Sequence, residues 1–215
     1  MLEKCIRLAK RQLARLSLRN TDFVIISNNC WGAEIYKYYN KPYNSPFVGL
    51  FLFGPDYIKL LENFNYYLNM ELKFASSSKW IKTLPKYPVG LLGEIEIHFM
   101  HYKSEGEAKE KWCRRIARMT TIDSDKFYFK ICERDLVTSD LIRKFHSLPF
   151  KNKISFSTES IEGLPASANH IIVQEKEPEG DKLIDGAELG KITYRYVNLT
   201  NWIKYQKFNK NLLNF

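Results

Sequence analysis

The feature that most restricts the fold is a short, uninterrupted apolar run, Phe23-Val24-Ile25-Ile26. A strand with one wet face alternates polar with apolar side chains. An unbroken run needs cover on both faces, as in a parallel sheet held between helices. The run ends in Ser27-Asn28-Asn29, and a helix is expected over residues 31–39, stopped by Lys41-Pro42. Residues 47–53 read as a second buried strand. Gly54-Pro55-Asp56 reads as a turn, with Pro55 placed to open a helix. The stripe Tyr57, Leu60, Leu61, Phe64 and Leu68 carries that helix to about residue 70.

The alternation continues beyond a polar loop at residues 75–78. Residues 91–100 hold a β pattern in which Glu94, Glu96 and His98 alternate with Ile95, Ile97 and Phe99. Ser104 and Glu107 form a capping box for a helix to about residue 119, burying Ala108, Trp112, Ile116 and Met119. Residues 127–132 are the next strand, and Thr138 or Ser139 caps a helix ending near His146. Residues 154–156 and 171–173 read as strands, 175–190 as an acidic surface loop, 192–197 as a late strand and 202–215 as a docked final helix. This order predicts an α/β fold with a mainly parallel, Rossmann-like sheet flanked by helices. The strand-richer last third leaves room for an antiparallel extension or small subdomain. A chain of 215 residues fits one domain, with a core over residues 20–150 and an extension over 151–215.

Charge and cysteine usage narrow the function classes. Lysine and arginine number 33 against 24 acidic residues, a net charge of +9, which suits nucleic acid, anionic lipid or a phosphorylated small molecule as partner. The RNP, zinc-finger and KH patterns are absent, so specific nucleic-acid binding is not expected. Cys5, Cys30, Cys113 and Cys132 are scattered without a C-x-x-C pair, against a zinc site or disulfide scaffold. Free cysteines and a charged start without an apolar h-region suggest a cytoplasmic protein, and no run nears the roughly 20 apolar residues that span a bilayer. Leu2, Ile6, Ala9, Leu13 and Leu16 recur at helical spacing with Lys4, Arg7, Arg11 and Arg15 between them. This basic amphipathic helix either packs on the core or contacts a membrane surface or polyanion.

Ligands of open α/β sheets bind beyond the carboxyl ends of the strands. Those ends carry Asn28, Asn29 and Cys30, then Asp56, then His101 and Tyr102, then Glu133, Arg134 and Asp135. Cys30 lies where a strand gives way to a helix, whose N-terminus favours a thiolate. His101 is the candidate base, and Asp135 or Glu133 could orient it. Cys30-Trp31 resembles the Cys-Trp of papain-like enzymes, although the rest of that signature is missing. The alternative is a small buried cysteine. Gly32 would admit a phosphate to the turn, yet there is neither G-x-G-x-x-G nor a P-loop, so the nucleotide signal is weak and the cofactor stays open. Glu94, Glu96 and His98 share a strand face that could bind a metal, but a solvated face explains them and is the preferred reading. Asp123-Ser124-Asp125 reads as a capping turn rather than a metal-binding D-x-D. Arg114, Arg115 and Arg118 fall within about one helical turn, either as a clamp for phosphate or an acidic sugar or as a solvated face.

Ser27-Asn28-Asn29-Cys30-Trp31-Gly32, Ser45-Pro46, Gly49-Leu50-Phe51, Tyr87-Pro88-Val89-Gly90, His101-Tyr102 and the Trp112, Arg115, Arg118 helix occur in an order that resembles a bacterial family of unknown function. Its members are commonly labelled exopolysaccharide biosynthesis proteins. The match spans most of the first two-thirds of the chain, and Ala33 departs from the second small residue that often follows the first glycine. The resemblance implies a link with surface-polysaccharide production, directs interest to Asn29, Cys30, His101 and Arg115, and fits a phosphorylated or acidic sugar as partner. Two functions follow as expectations. One is a transferase acting on a sugar precursor through Cys30, His101 and Asp135, with Asn28, Asn29, Asp56, Tyr102, Arg115, Arg118 and Glu133 around the substrate. The other is a non-catalytic binding protein for a nucleotide-sugar or acidic saccharide.

Overall fold

The structure, a computed structural model, describes residues 2–83, 85–178 and 180–211, without the side chains of residues 2–4 and 7. The parts of the expectations that rest on the side chains of Leu2, Lys4 and Arg7, or on tail residues 212–215, lie outside the described residues.

Helix α1 (Leu2–Ser17) leads into β1 (Val24–Ser27) and α2 (Trp31–Tyr39). Strand β1 pairs in parallel with Phe127–Cys132, which pairs with Asn152–Ser157, and that with His170–Ile172. The continuous apolar runs thus lie where they must, in a four-stranded parallel sheet covered on both faces. One face of β1 (Val24, Ile26) packs with residues of α3 (Gly54–Glu62), α4 (Phe64–Leu68), α5 (Glu105–Met119) and the helix Ser139–Ser147. The opposite face, with Ile25, Tyr128, Ile154 and Phe156, packs under α2 and the two last helices, Gly186–Tyr196 and Leu199–Tyr205. A separate antiparallel sheet joins β2 (Lys73–Ala75), β3 (Val89–Leu92) and β4 (Ile95–His98) in that order. In chain order the remaining elements are β5 (Phe127–Cys132), α6 (Ser139–Ser147), β6 (Asn152–Ser157), β7 (His170–Ile172), α7 (Gly186–Tyr196) and α8 (Leu199–Tyr205).

Four local readings are corrected. Residues 47–53 are buried but form no ladder strand. Pro46 cannot donate, Gly49 turns the chain at φ +78°, and only Phe51 pairs, bridging His98 at 3.0 and 2.9 Å. The segment is a strap: Leu52 N donates to Asn28 O at 2.9 Å on one side while Phe51 holds β4 on the other. The helix expected from Pro55 to about residue 70 breaks at Asn63 (φ −130°, ψ 46°) into α3 and α4. Residues 91–100 are the end of β3 and β4, folded back at Gly93 (φ +59°). The antiparallel sheet thus falls within residues 73–98, and the last third contributes the isolated antiparallel bridges Lys176–Leu183 and Val197–Lys210. Finally, of residues 192–197, 192–196 belong to α7 and Val197 is its extended C-cap, because Asp185 caps a helix whose Leu189, Thr193 and Tyr196 share one buried face.

Candidate functional site

The sharp step from β1 to α2 sets up the site. Cys30 occupies the N-cap position of α2 (φ −65°, ψ −4°). Gly32 lets the helix begin tight against the strand, since a Cβ there would come within 2.9 Å of Ile25 Cγ2. The close approach it admits is that of a side chain, not of a phosphate. The thiol is left half-exposed at the strand end. His101 comes from the other sheet, delivered by the strap: His98 is bridged to Phe51, and His101 N donates to Gly49 O at 3.2 Å. The result is a contact of 3.4 Å between Cys30 Sγ and His101 Nε2, with Met100 Sδ at 3.8 Å on the same sulfur. With its lone pair on Nε2, the imidazole can accept the S–H.

Beneath this pair lies a buried polar cluster. Lys130 is fully buried in β5, and its Nζ donates to Asn29 Oδ1 at 2.8 Å, Asn28 Oδ1 at 3.2 Å and Cys132 Sγ at 3.0 Å. Burial lowers its pKa, opposed by Cys132, Asp135 and Cys30. A buried amine is tolerable only with such partners. Asn29 is fully engaged: its Oδ1 also accepts Trp31 N at 3.4 Å, and its Nδ2 reaches Cys132 Sγ at 3.2 Å and Asp135 Oδ2 at 3.5 Å. Asn28 Nδ2 is buried and has no hydrogen-bond partner among the described residues. The N-terminus of α7 closes the cluster. A Cβ on Gly186 would fall 2.3 Å from Asn29 Oδ1, and one on Gly190 2.7 Å from Glu34 Cβ. Trp31 Nε1 donates to Thr193 Oγ1 at 2.8 Å, tying α2 to α7.

The electrostatics correct the expected thiolate. Burial, then Asp185, push the Cys30 thiol up to about 11, with Asp135 adding to the rise and Lys130 and Lys37 only partly offsetting it. The favourable helix end is outweighed by desolvation and by the carboxylate that caps the neighbouring helix. The resting group is a thiol beside a base, not an ion pair.

The structure brings some predicted residues together and separates others. Cys30, His101, Asn28, Asn29 and Asp135 share one region, but Asp135 meets Asn29 and makes no hydrogen bond to His101 among the described residues. Positive φ at Asp135 (56°) and Leu136 (63°) turns the chain there, and Asp135 O accepts Gly54 N at 2.7 Å. Of the three residues expected to act together, Cys30 and His101 are in contact while Asp135 is paired with Asn29. Glu133 holds Thr158 N at 2.6 Å. Asp56 is buried by three partners elsewhere, Lys79 Nζ, Trp80 Nε1 and Glu96 N, each at 2.8 Å. Tyr102 and Arg115 hydrogen-bond one another, and both donate to Val48 O, pinning the strap. Arg115 is buried, Arg114 pairs with Glu110, and Arg118 reaches Tyr43 O at 3.4 Å, so the three arginines form no common clamp. Glu94 pairs with Lys59, while Glu96 meets Ser78, Lys79 N and, at 3.4 Å, His98 Nε2; two of the three residues thus come together, and no group of three metal-ligating side chains forms among the described residues. Asp123 caps a short turn by accepting Asp125 N at 2.9 Å. Sequence reading missed Lys130, Asp185 and Gly186. A lysine inside the otherwise uncharged strand Phe127–Cys132 was the available signal.

A family model described as a domain of unknown function (DUF1919) matches residues 1–204. An uncharacterized protein of Haemophilus influenzae is 38% identical over 189 residues, spanning 87% of each chain.

Proposed function

The chain belongs to the DUF1919 family of unknown function, and we propose that it is a cytoplasmic acyltransferase in which Cys30 carries the acyl group and His101 moves the proton. The 3.4 Å contact between Cys30 Sγ and His101 Nε2 carries this reading. As Sγ attacks the acyl carbon of a donor, the S–H proton passes to His101, the C–S bond forms, and the bond to the leaving group breaks as that group takes the proton from His101. In the return step an acceptor hydroxyl gives its proton to His101, attacks the thioester and releases Cys30, which recovers the proton. Asn28 Nδ2, a buried donor without an acceptor, is the group in the cluster best suited to a developing oxyanion. Lys130 and Asn29 are positioning residues.

The acceptor class we propose is a phosphorylated or acidic sugar of a surface-polysaccharide precursor. The net charge of +9 supports an anionic acceptor, and the labels carried by the resembling family point to polysaccharide. The reading is tested by release of 4-nitrophenol from 4-nitrophenyl acetate. Wild type should give a burst stoichiometric with enzyme, absent in Cys30→Ala and slowed in His101→Ala by about 10²-fold or more. An undiminished burst in Cys30→Ala would remove the mechanism.

A further inference from the structure

Helix α1 is turned inside out relative to an ordinary surface helix. Its inward side is polar: Arg11 Nε and Arg15 Nε donate to Tyr38 O at 3.3 and 2.9 Å, and their second nitrogens reach Lys37 O, so that two guanidinium groups neutralise the carbonyl end of α2. Ala14 packs beside them. Opposite this side at helical spacing lie Ile6, Leu13 and Leu16, which are 46%, 67% and 65% exposed. A helix that served the core would bury that stripe. At the end of α1, Lys204 Nζ reaches Ser17 Oγ at 3.1 Å and lies over the ring of Tyr205, itself 58% exposed. A tyrosine and a lysine beside an apolar stripe are the residue types that settle at a membrane–water boundary.

We propose that α1 docks the protein flat on an anionic phospholipid surface, with Ile6, Leu13 and Leu16 entering the boundary between headgroups and acyl chains. Charge selects this occupant over a second copy of the chain. The sequence of α1 carries five basic residues against one acidic residue, and the whole chain is +9. Self-association would bring like charges together, whereas anionic headgroups complement them. The 16 residues of α1 give a rod about 24 Å long, and no helix among the described residues is long and apolar enough to cross a membrane. Because α1 grips the carbonyl end of α2 while Cys30 sits at its other end, the thiol stands about 12 Å along α2 from the docking helix.

Co-sedimentation of the full chain with vesicles of phosphatidylcholine, alone or mixed with phosphatidylglycerol, tests the proposal. Wild type should bind the mixed vesicles, weaken with added salt and bind neutral ones at least about tenfold less. Leu13→Gln/Leu16→Gln changes only exposed positions; it should keep the circular dichroism and melting temperature of wild type and lose at least about tenfold in binding. The proposal is overturned by absence of wild-type binding at low salt, or by equal binding of the double variant. A concentration-dependent dimer in light scattering that the double variant abolishes would also overturn it, since a second copy would then own the face.

Discussion

Cys30 Sγ and His101 Nε2 meet at 3.4 Å across 71 residues of sequence and from two different sheets. The strap at residues 47–53 makes the meeting by bonding Asn28 O at the end of β1 and bridging His98 at the end of β4. The thiol so placed is protonated, with its pKa raised to about 11 by burial and by Asp185. In the folded chain, alkylation of Cys30 by iodoacetamide should be slower below pH 9 than that of exposed Cys5 and Cys113. Its rate should rise toward pH 11. The sign for stability follows: the folded state prefers the protonated thiol, so this contribution is complete below the ordinary value of 9.0 and is lost as pH rises through about 11. Asp185→Asn keeps a capping side chain and should move the alkylation midpoint downward; an unmoved midpoint would discard the assigned cause.

Asp135 lies beside Asn29, not His101. An acid that held the base in its working tautomer would be worth about 10⁴-fold in rate. Asp135→Asn, which tolerates the positive φ of 56° at this position, should instead change the 4-nitrophenyl acetate burst rate by less than about tenfold. A loss near the larger figure would restore the triad.

The contrast between local and long-range signals explains what the sequence revealed. The apolar run of β1, the Ser104 cap and the helix 31–39 depend on neighbours in the chain, and they were legible. Residues 47–53 were misread because apolar content marks burial without marking a ladder partner. Residues 192–197 were misread because their β-branched and aromatic residues mask a helix begun by Asp185. Cys30 and His101 were legible as strand-end residues even though the strand before His101 lies in the other sheet. The role of Asp135 was not, because the positive φ values that aim its turn are a property of the folded chain. Lys130 was overlooked among apolar neighbours, although its charge was the anomaly.

Lys130 gives the second stability prediction. Lys130→Met preserves length but leaves Asn28 Oδ1 and Asn29 Oδ1 without the amine that now lies at 3.2 and 2.8 Å. Loss of about 2 kcal/mol is expected in urea unfolding, together with loss of the burst. An unchanged unfolding midpoint would mean that the cluster does not depend on the amine.

Glycine substitutions discriminate the tight packing of α7 from ordinary helix propensity. Gly186→Ala should destabilise by about 1–3 kcal/mol, because its Cβ would fall 2.3 Å from Asn29 Oδ1. Gly106→Ala, whose Cβ would meet nothing nearer than 4.0 Å, should stabilise α5 by about 0.5–1 kcal/mol. Thermal unfolding of the two variants side by side checks both signs.

His146 predicts acid sensitivity. Burial, with Lys153 and His170 nearby, lowers it from 6.5 to about 4, and its Nε2 meets Ser155 Oγ at 2.7 Å. A depressed value favours the neutral ring in the folded state, so this contribution is present above pH 6.5 and falls away as pH drops through 4, by about 3 kcal/mol in all. Urea midpoints between pH 7 and 4 should fall less steeply in His146→Gln than in wild type; parallel curves would refute the assignment.

Acylation of Cys30 is read directly in the intact mass of the protein after brief incubation with acetyl-coenzyme A or 4-nitrophenyl acetate and an acid quench. One acetyl group is expected, mapped to Cys30, labile to hydroxylamine, absent in Cys30→Ala and accumulating more slowly in His101→Ala. Acetylation that maps elsewhere, or that persists unchanged without Cys30, would contradict it.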